Sequence, residues 1–130
     1  MNLESKKVTV NQPNTAVFEF LINAKNYQSL MPADSRFELQ NENTFLFALK
    51  GMPEIVLKLK ESKPHHLITL GSGGGKIEFS LQVKLKPINV NSCDVQLEFE
   101  GQFNPMISMM IKGPITKFID TLVHNVPLAI

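Results

Sequence analysis

The stretch Lys76-Ile77-Glu78-Phe79-Ser80-Leu81-Gln82-Val83-Lys84-Leu85-Lys86 alternates apolar and polar side chains along its whole length. Successive strand residues point to opposite faces of a sheet, so Ile77, Phe79, Leu81, Val83 and Leu85 share one face and the polar set shares the other. One dry and one wet face predict an antiparallel sheet covered on a single side. The same period continues downstream, with Val95, Leu97, Phe99 and Phe103 opposing Asp94, Gln96, Glu98, Glu100 and Gln102. It also continues upstream. Ile55, Leu57 and Leu59 face away from Glu54, Lys58 and Lys60; Phe45, Phe47 and Leu49 form another set; Phe37 and Leu39 alternate with Arg36 and Glu38. Leu67-Ile68-Thr69-Leu70 is a shorter strand. Turn residues separate these runs at Asn41-Glu42-Asn43, Gly51-Met52-Pro53, Lys63-Pro64, Gly71 to Gly75, and Asn89 to Ser92. With an opening strand from Leu3 to Val10, the pattern predicts an antiparallel sheet of about seven strands.

Helical spacing appears at the two ends of this pattern. After Asn11-Gln12-Pro13, the residues Val17, Phe18, Leu21 and Ile22 mark one face of a short helix, since proline suits a first helical position. A second short helix or turn covers Ala24 to Leu30. Met31-Pro32 stops it, because a residue before proline is pushed out of the helical region. The last element opens on Asn104-Pro105, an N-cap followed by proline, and is expected to end near Val126. Ile107, Ile111, Ile115, Phe118 and Leu122 form its apolar face, with Met110, Pro114 and Ile119 at the margins and Lys117, Asp120 and His124 opposite. Pro114 removes a hydrogen bond to the carbonyl of Met110 and predicts a kink near Gly113.

The 130 residues suit one domain spanning the whole chain. A hydrophobic fraction of 43% against 19% charged residues indicates a packed globule rather than a disordered chain. A net charge of +1 lacks the basic excess of a phosphate-binding surface, and all of the 13 basic residues except Arg36 are lysines, so no nucleic-acid partner is expected. The single cysteine, Cys93, forms no internal disulfide, which fits a reducing, cytoplasmic location. The opening Met1-Asn2-Leu3-Glu4-Ser5-Lys6-Lys7 carries no apolar run of the secretory kind. Lys112, Lys117 and Asp120 interrupt the one candidate for a membrane span, so no stable membrane insertion is expected.

The order of these elements, namely a strand, two short helices, a strand meander and a long apolar C-terminal helix, resembles the START-like superfamily (SRPBCC), which includes Bet v 1-type proteins and polyketide cyclase and lipid-transport types. The resemblance spans essentially the whole chain. It is carried by Pro13 with Val17-Phe18, by Asn26 with Met31-Pro32, by the paired alternating strands from Lys76 to Lys86 and from Asp94 to Gln102, and by the final helix. It implies an α+β helix-grip fold, in which the sheet wraps around the final helix and encloses an apolar cavity for a lipid-like, quinone-like or polyketide-like molecule. Members differ widely in activity, so the fold does not fix the function.

On that expectation the dry face supplies Phe45, Phe47, Leu57, Ile68, Phe79, Leu81, Leu97 and Phe99 as ligand-binding residues. The final helix supplies Met106, Met110, Ile111 and Phe118, with Pro114 beside them. A closed core of the same residues satisfies the periodicity equally well. The helix start, Met106-Ile107-Ser108-Met109-Met110-Ile111, is apolar nearly all round, and methionine recurs on surfaces that adapt to varied partners. It is read as a lip of the cavity or, alternatively, as a contact for a protein partner or a second copy of the chain.

Other motifs carry less. Gly71-Ser72-Gly73-Gly74-Gly75-Lys76 is followed by Ile77 and a strand, where a phosphate-binding loop needs serine or threonine and a helix. His65 and His66 are adjacent, so on a strand they would point apart, and with His124 they form no metal-ligand spacing. Cys93 is placed in a polar turn beside Asp94, which disfavours a thiolate. The carboxylates Glu38, Glu54, Glu78, Glu98 and Glu100 fall on wet faces, leaving Asp34, Arg36, Tyr27 and the histidines to reach a cavity mouth. The sequence thus points to non-catalytic binding or transport of a hydrophobic small molecule, with no cofactor and no metal. A loop-borne cyclase or hydrolase is the more remote reading.

Overall fold

The computed structural model describes residues 1–50, 52, 54–73 and 78–130. Eight strands form one antiparallel sheet: β1 (Asn2–Glu4), β2 (Val8–Val10), β3 (Arg36–Asn41), β4 (Thr44–Ala48), β5 (Ile55–Lys63), β6 (Leu67–Ser72), β7 (Ser80–Asn89) and β8 (Ser92–Glu100). Helix α1 (Asn14–Leu21) and a 3₁₀ helix (Ala24–Leu30) follow β2, and α2 (Pro105–Ala129) closes the chain. The sheet order is β1-β8-β7-β6-β5-β4-β3, with β2 also on β8.

The single opening strand expected from Leu3 to Val10 is two strands. Glu4 pairs with Glu98 and Val8 with Val95, so one extra residue is accommodated on the N-terminal side, as in a β-bulge. Buried Ser5 occupies this break. Its amide donates to the Leu97 carbonyl at 2.8 Å, and its hydroxyl accepts from the Leu97 amide at 2.9 Å and donates to the Lys6 carbonyl at 2.8 Å. Further register shifts lie between Leu39 and Asn41, Leu59 and Glu61, and Pro87 and Asn89. Bulges strengthen local twist, which lets the sheet curl around a helix. The strand expected from Lys76 starts, within the described residues, at Ser80 and runs three residues past Lys86. Lys76 and Ile77 lie outside the described residues.

α2 lies across the concave face and packs on the 3₁₀ helix, β8, β2 and β1. Asn104 caps it, with the Ile107 amide donating to Asn104 Oδ1 at 2.9 Å. Ile111, Ile115, Phe118, Ile119, Leu122, Val123 and Val126 are buried, as a 3.6-residue period requires. The helix runs one turn past Val126, through Pro127. It also continues through Pro114, near which a kink was expected and whose ring leaves the Met110 carbonyl without its helical donor. Gly113 precedes that proline with no Cβ to crowd its ring, and the Thr116 hydroxyl donates to the Lys112 carbonyl at 2.7 Å.

Five aromatic rings fill the centre of the grip. Phe118 of α2 stacks on Phe47 of β4, with ring centroids 4.4 Å apart and planes 7° from parallel. Phe47 continues to Phe45 at 6.3 Å, and Phe45 stacks on Tyr27 at 5.1 Å and Phe37 at 5.2 Å. Tyr27 is fully buried, where a position at the cavity mouth was expected. Its hydroxyl donates to the Leu21 carbonyl at 2.8 Å, satisfying the end of α1.

Burial pushes the Tyr27 phenol well above its ordinary range. A raised folded-state value favours the neutral form. The associated stability is therefore complete below the ordinary tyrosine value of about 10 and is lost as pH rises above it. Tyr27 is the only tyrosine, so its phenolate absorbance reports one site. We expect that signal to appear only together with loss of the sheet's circular dichroism, and titration near pH 10 with the fold intact would contradict the burial. Tyr27→Phe should cost about 1–2 kcal/mol in chemical denaturation, because the Leu21 carbonyl loses its partner.

Candidate functional site

A cleft of about 280 Å³ opens where α2 passes the end of the β3–β4 hairpin. Pro32, Asp34 and Ser35 form one wall, Leu49 and Lys50 a second, and Pro114, Lys117 and Phe118 a third. Local bonds fix each wall. The Ser35 amide and hydroxyl both donate to the Pro32 carbonyl, at 3.1 and 2.7 Å. The Met52 amide donates to the Leu49 carbonyl at 3.1 Å. The Asn125 side chain donates to the Leu30 carbonyl at 3.0 Å, tying α2 to the segment that leads into Pro32. The floor is Phe118, whose ring rests on Phe47 and so separates the cleft from the aromatic stack beneath.

The residues expected to line an internal cavity fall into three groups. Phe45, Phe47, Leu57, Ile68, Leu81, Leu97, Phe99, Ile111 and Phe118 all belong to one buried cluster, each no more than 4% exposed. Among the described residues these side chains pack against one another and fill most of the concave face. Of this group, Phe118 also lines the cleft. Phe79 is half-buried just before β7 and stacks on Phe99 at 5.2 Å, and Phe99 continues to Phe103 at 6.1 Å. Met106 and Met110 stand apart from the cluster. Met106 is 82% exposed, and Met110, expected to face the sheet, is 48% exposed, alongside Met109 at 84%. The reason is helical geometry: in the first turns of α2 only Ile107 and Ile111 point toward the sheet, and Met110 lies a third of a turn from Ile111.

The ionisable residues sort differently from expectation. Asp34 does reach the cleft. Arg36 is exposed and bonded to Glu38 at 2.9 Å and Glu54 at 3.4 Å. His65 lies in the β5–β6 turn rather than on a strand, with a left-handed φ of 72°, and its ring meets Phe18 edge-on at 5.4 Å. His124 is on the outer face of α2, in a shallow depression with Lys6 and Asp120. Among the described residues no three of His, Cys, Asp and Glu come together as a metal site, and no helix is long and apolar enough to cross a membrane. Of the glycine run, Gly71 and Ser72 belong to β6, and Gly74, Gly75 and Lys76 lie outside the described residues.

Sequence reasoning missed most of the cleft. Lys117 was assigned only to the polar face of α2, and Pro32 only to a helix stop. Loop residues carry no periodic signal, so Ser35 and Lys50 had none to find.

Cys93 is on β8 and fully buried, not in a turn. Burial, and secondarily the Asp94 carboxylate, push its thiol upward. We expect it to resist iodoacetamide at pH 8 in the native protein and to react completely in denaturant. Rapid native labelling would place the thiol at the surface.

No protein-family model matches the chain, and no curated protein matches its sequence. Solved structures do match its shape. Norcoclaurine synthase from Thalictrum flavum superimposes with a TM-score of 0.73 at 13% identity, covering 98% of this chain and 84% of that one. A conserved protein from Geobacillus kaustophilus gives 0.67 at 14% identity, covering 98% and 93%. A START superfamily protein from Mycobacterium smegmatis gives 0.63 at 10% identity, covering 99% of both chains. The chain therefore has the helix-grip fold that these structures share.

Proposed function

We propose that this protein binds or carries a hydrophobic small molecule, without catalysing its conversion, and that the ligand enters at the cleft beside α2. The observation that supports this most directly is the cleft's construction. It combines apolar surface from Phe118, Leu49, Pro114 and Pro32 with polar groups from Asp34, Ser35, Lys50 and Lys117, and apolar surface with placed polar groups is the usual make-up of a small-molecule site. Its volume is near the lower end of the range of such sites, roughly 300–1,000 Å³. A larger ligand would reach Phe47, Phe45 and the rest of the buried cluster by displacing Phe118 from its stack.

Two measurements test this reading. Native mass spectrometry of freshly purified protein should show a mass excess that organic extraction removes. Titration with 2-naphthamide, a neutral flat probe, should shift the backbone amides of Leu49, Lys50, Lys117 and Phe118. Leu49→Gln replaces part of the apolar wall with an amide and should weaken the probe about fivefold to tenfold. Absence of shifts at these four amides at millimolar probe would refute the cleft as the site.

The exposure of Met106, Met109 and Met110 favours a second role for the start of α2, as a contact for a protein partner or a second copy of the chain. Met106→Gln/Met109→Gln should leave the melting temperature unchanged and reduce either self-association in sedimentation or ligand uptake. No change in either would remove this surface from consideration.

A further inference from the structure

Resting on the cleft reading above, we infer that the ligand is a hydrophobic monoanion of the carboxylate type, its apolar body on Phe118 and Leu49 and its head between Lys50 and Lys117. The two lysines stand on different walls of the cleft, one after β4 and one on α2. Neither belongs to an ion pair among the described residues, where the ion pairs are those of Arg36 with Glu38 and Glu54 and of Lys84 with Glu98. The rim's one carboxylate, Asp34, leaves a net charge of +1 over an apolar floor. Ser35 adds no competing donor, since its hydroxyl proton is directed to the Pro32 carbonyl.

This arrangement discriminates by charge. A neutral ligand gains only the apolar contact, and a cation meets two ammonium groups. An anion of matching size gains charge-assisted bonds to flexible lysine heads, which act as point charges and demand little of its geometry. Asp34 opposes the same anion, so its removal should help binding, a sign that a general loss of packing would not produce.

The experiment compares 2-naphthoate with 2-naphthamide, equal in shape and different in charge, by amide-shift titration of the wild type and two variants. In low salt, naphthoate should bind about fivefold to tenfold tighter than naphthamide, and the difference should shrink as salt is added. Lys50→Gln/Lys117→Gln should abolish the preference, so that the two probes bind the variant equally well. Asp34→Asn should strengthen naphthoate alone. Equal binding of the two probes at the cleft, or a preference that survives the double lysine variant, would overturn the anionic head while leaving the hydrophobic site standing. Failure of naphthamide itself to shift the cleft amides would instead overturn the site. All three side chains that differ between these proteins are at the surface, so a folding defect would appear directly as collapse of amide dispersion, and single-lysine variants would then carry the test.

Discussion

The contact between Phe118 and Phe47 sets the shape of this molecule. It joins the last helix to a strand near the far edge of the sheet, and it can form only if the sheet curls enough to bring β4 over α2. The bulges at Ser5 and at Leu39, Leu59 and Pro87 belong to that constraint, because regularly paired strands would lie too flat. Once the rings meet, Phe45, Tyr27 and Phe37 fall into line behind them, and the 3₁₀ helix is held against α2. Truncating a buried phenylalanine typically costs about 3–5 kcal/mol, a large part of the stability of a domain this size.

The same contact decides where a ligand could sit. To enter the concavity, a molecule would have to part Phe118 from Phe47 and replace what the stack contributes. At the rim, the cleft bounded by Pro32, Leu49 and Pro114 is already open, and occupying it disturbs no buried side chain. Fold and site are therefore coupled through one residue, since the floor of the cleft is also the keystone of the core.

Much of the fold was legible because burial on one face imposes a period. The alternation in Leu81, Val83 and Leu85, and the spacing of Ile111, Ile115, Phe118 and Leu122, each reappear as buried side chains on one face. What could not be read depends on tertiary contact. The break at Ser5 exists because β8 supplies Leu97 opposite it, a partner more than ninety residues away. Tyr27 was expected at a cavity mouth, yet its hydroxyl finds the end of α1 and its ring the aromatic stack. Met110 sat at the margin of the apolar face, and helix rotation turned it outward. Cys93 was placed in a turn, yet it is the second residue of β8 and its side chain lies inside. Most of the apolar residues expected on the dry side are buried there, Leu39 being exposed at the edge strand β3, but periodicity is the same for a packed core and a lined cavity. The cleft was largely hidden because its walls come from loops and from the flank of α2.

The pairing of β1 and β2 with β8 also has a kinetic consequence. From β3 to β8 each strand pairs with its neighbour in the chain, so those hairpins close over short loops. The bonds of Ser5 with Leu97 and Gln96 span 92 and 91 residues, and those of the Lys6 amide with Asp120 span 114. Closing a loop that long costs entropy before any contact rewards it. The chain must therefore wait for its two ends to find each other, and a folding time in the range of milliseconds to seconds, rather than microseconds, follows from the topology.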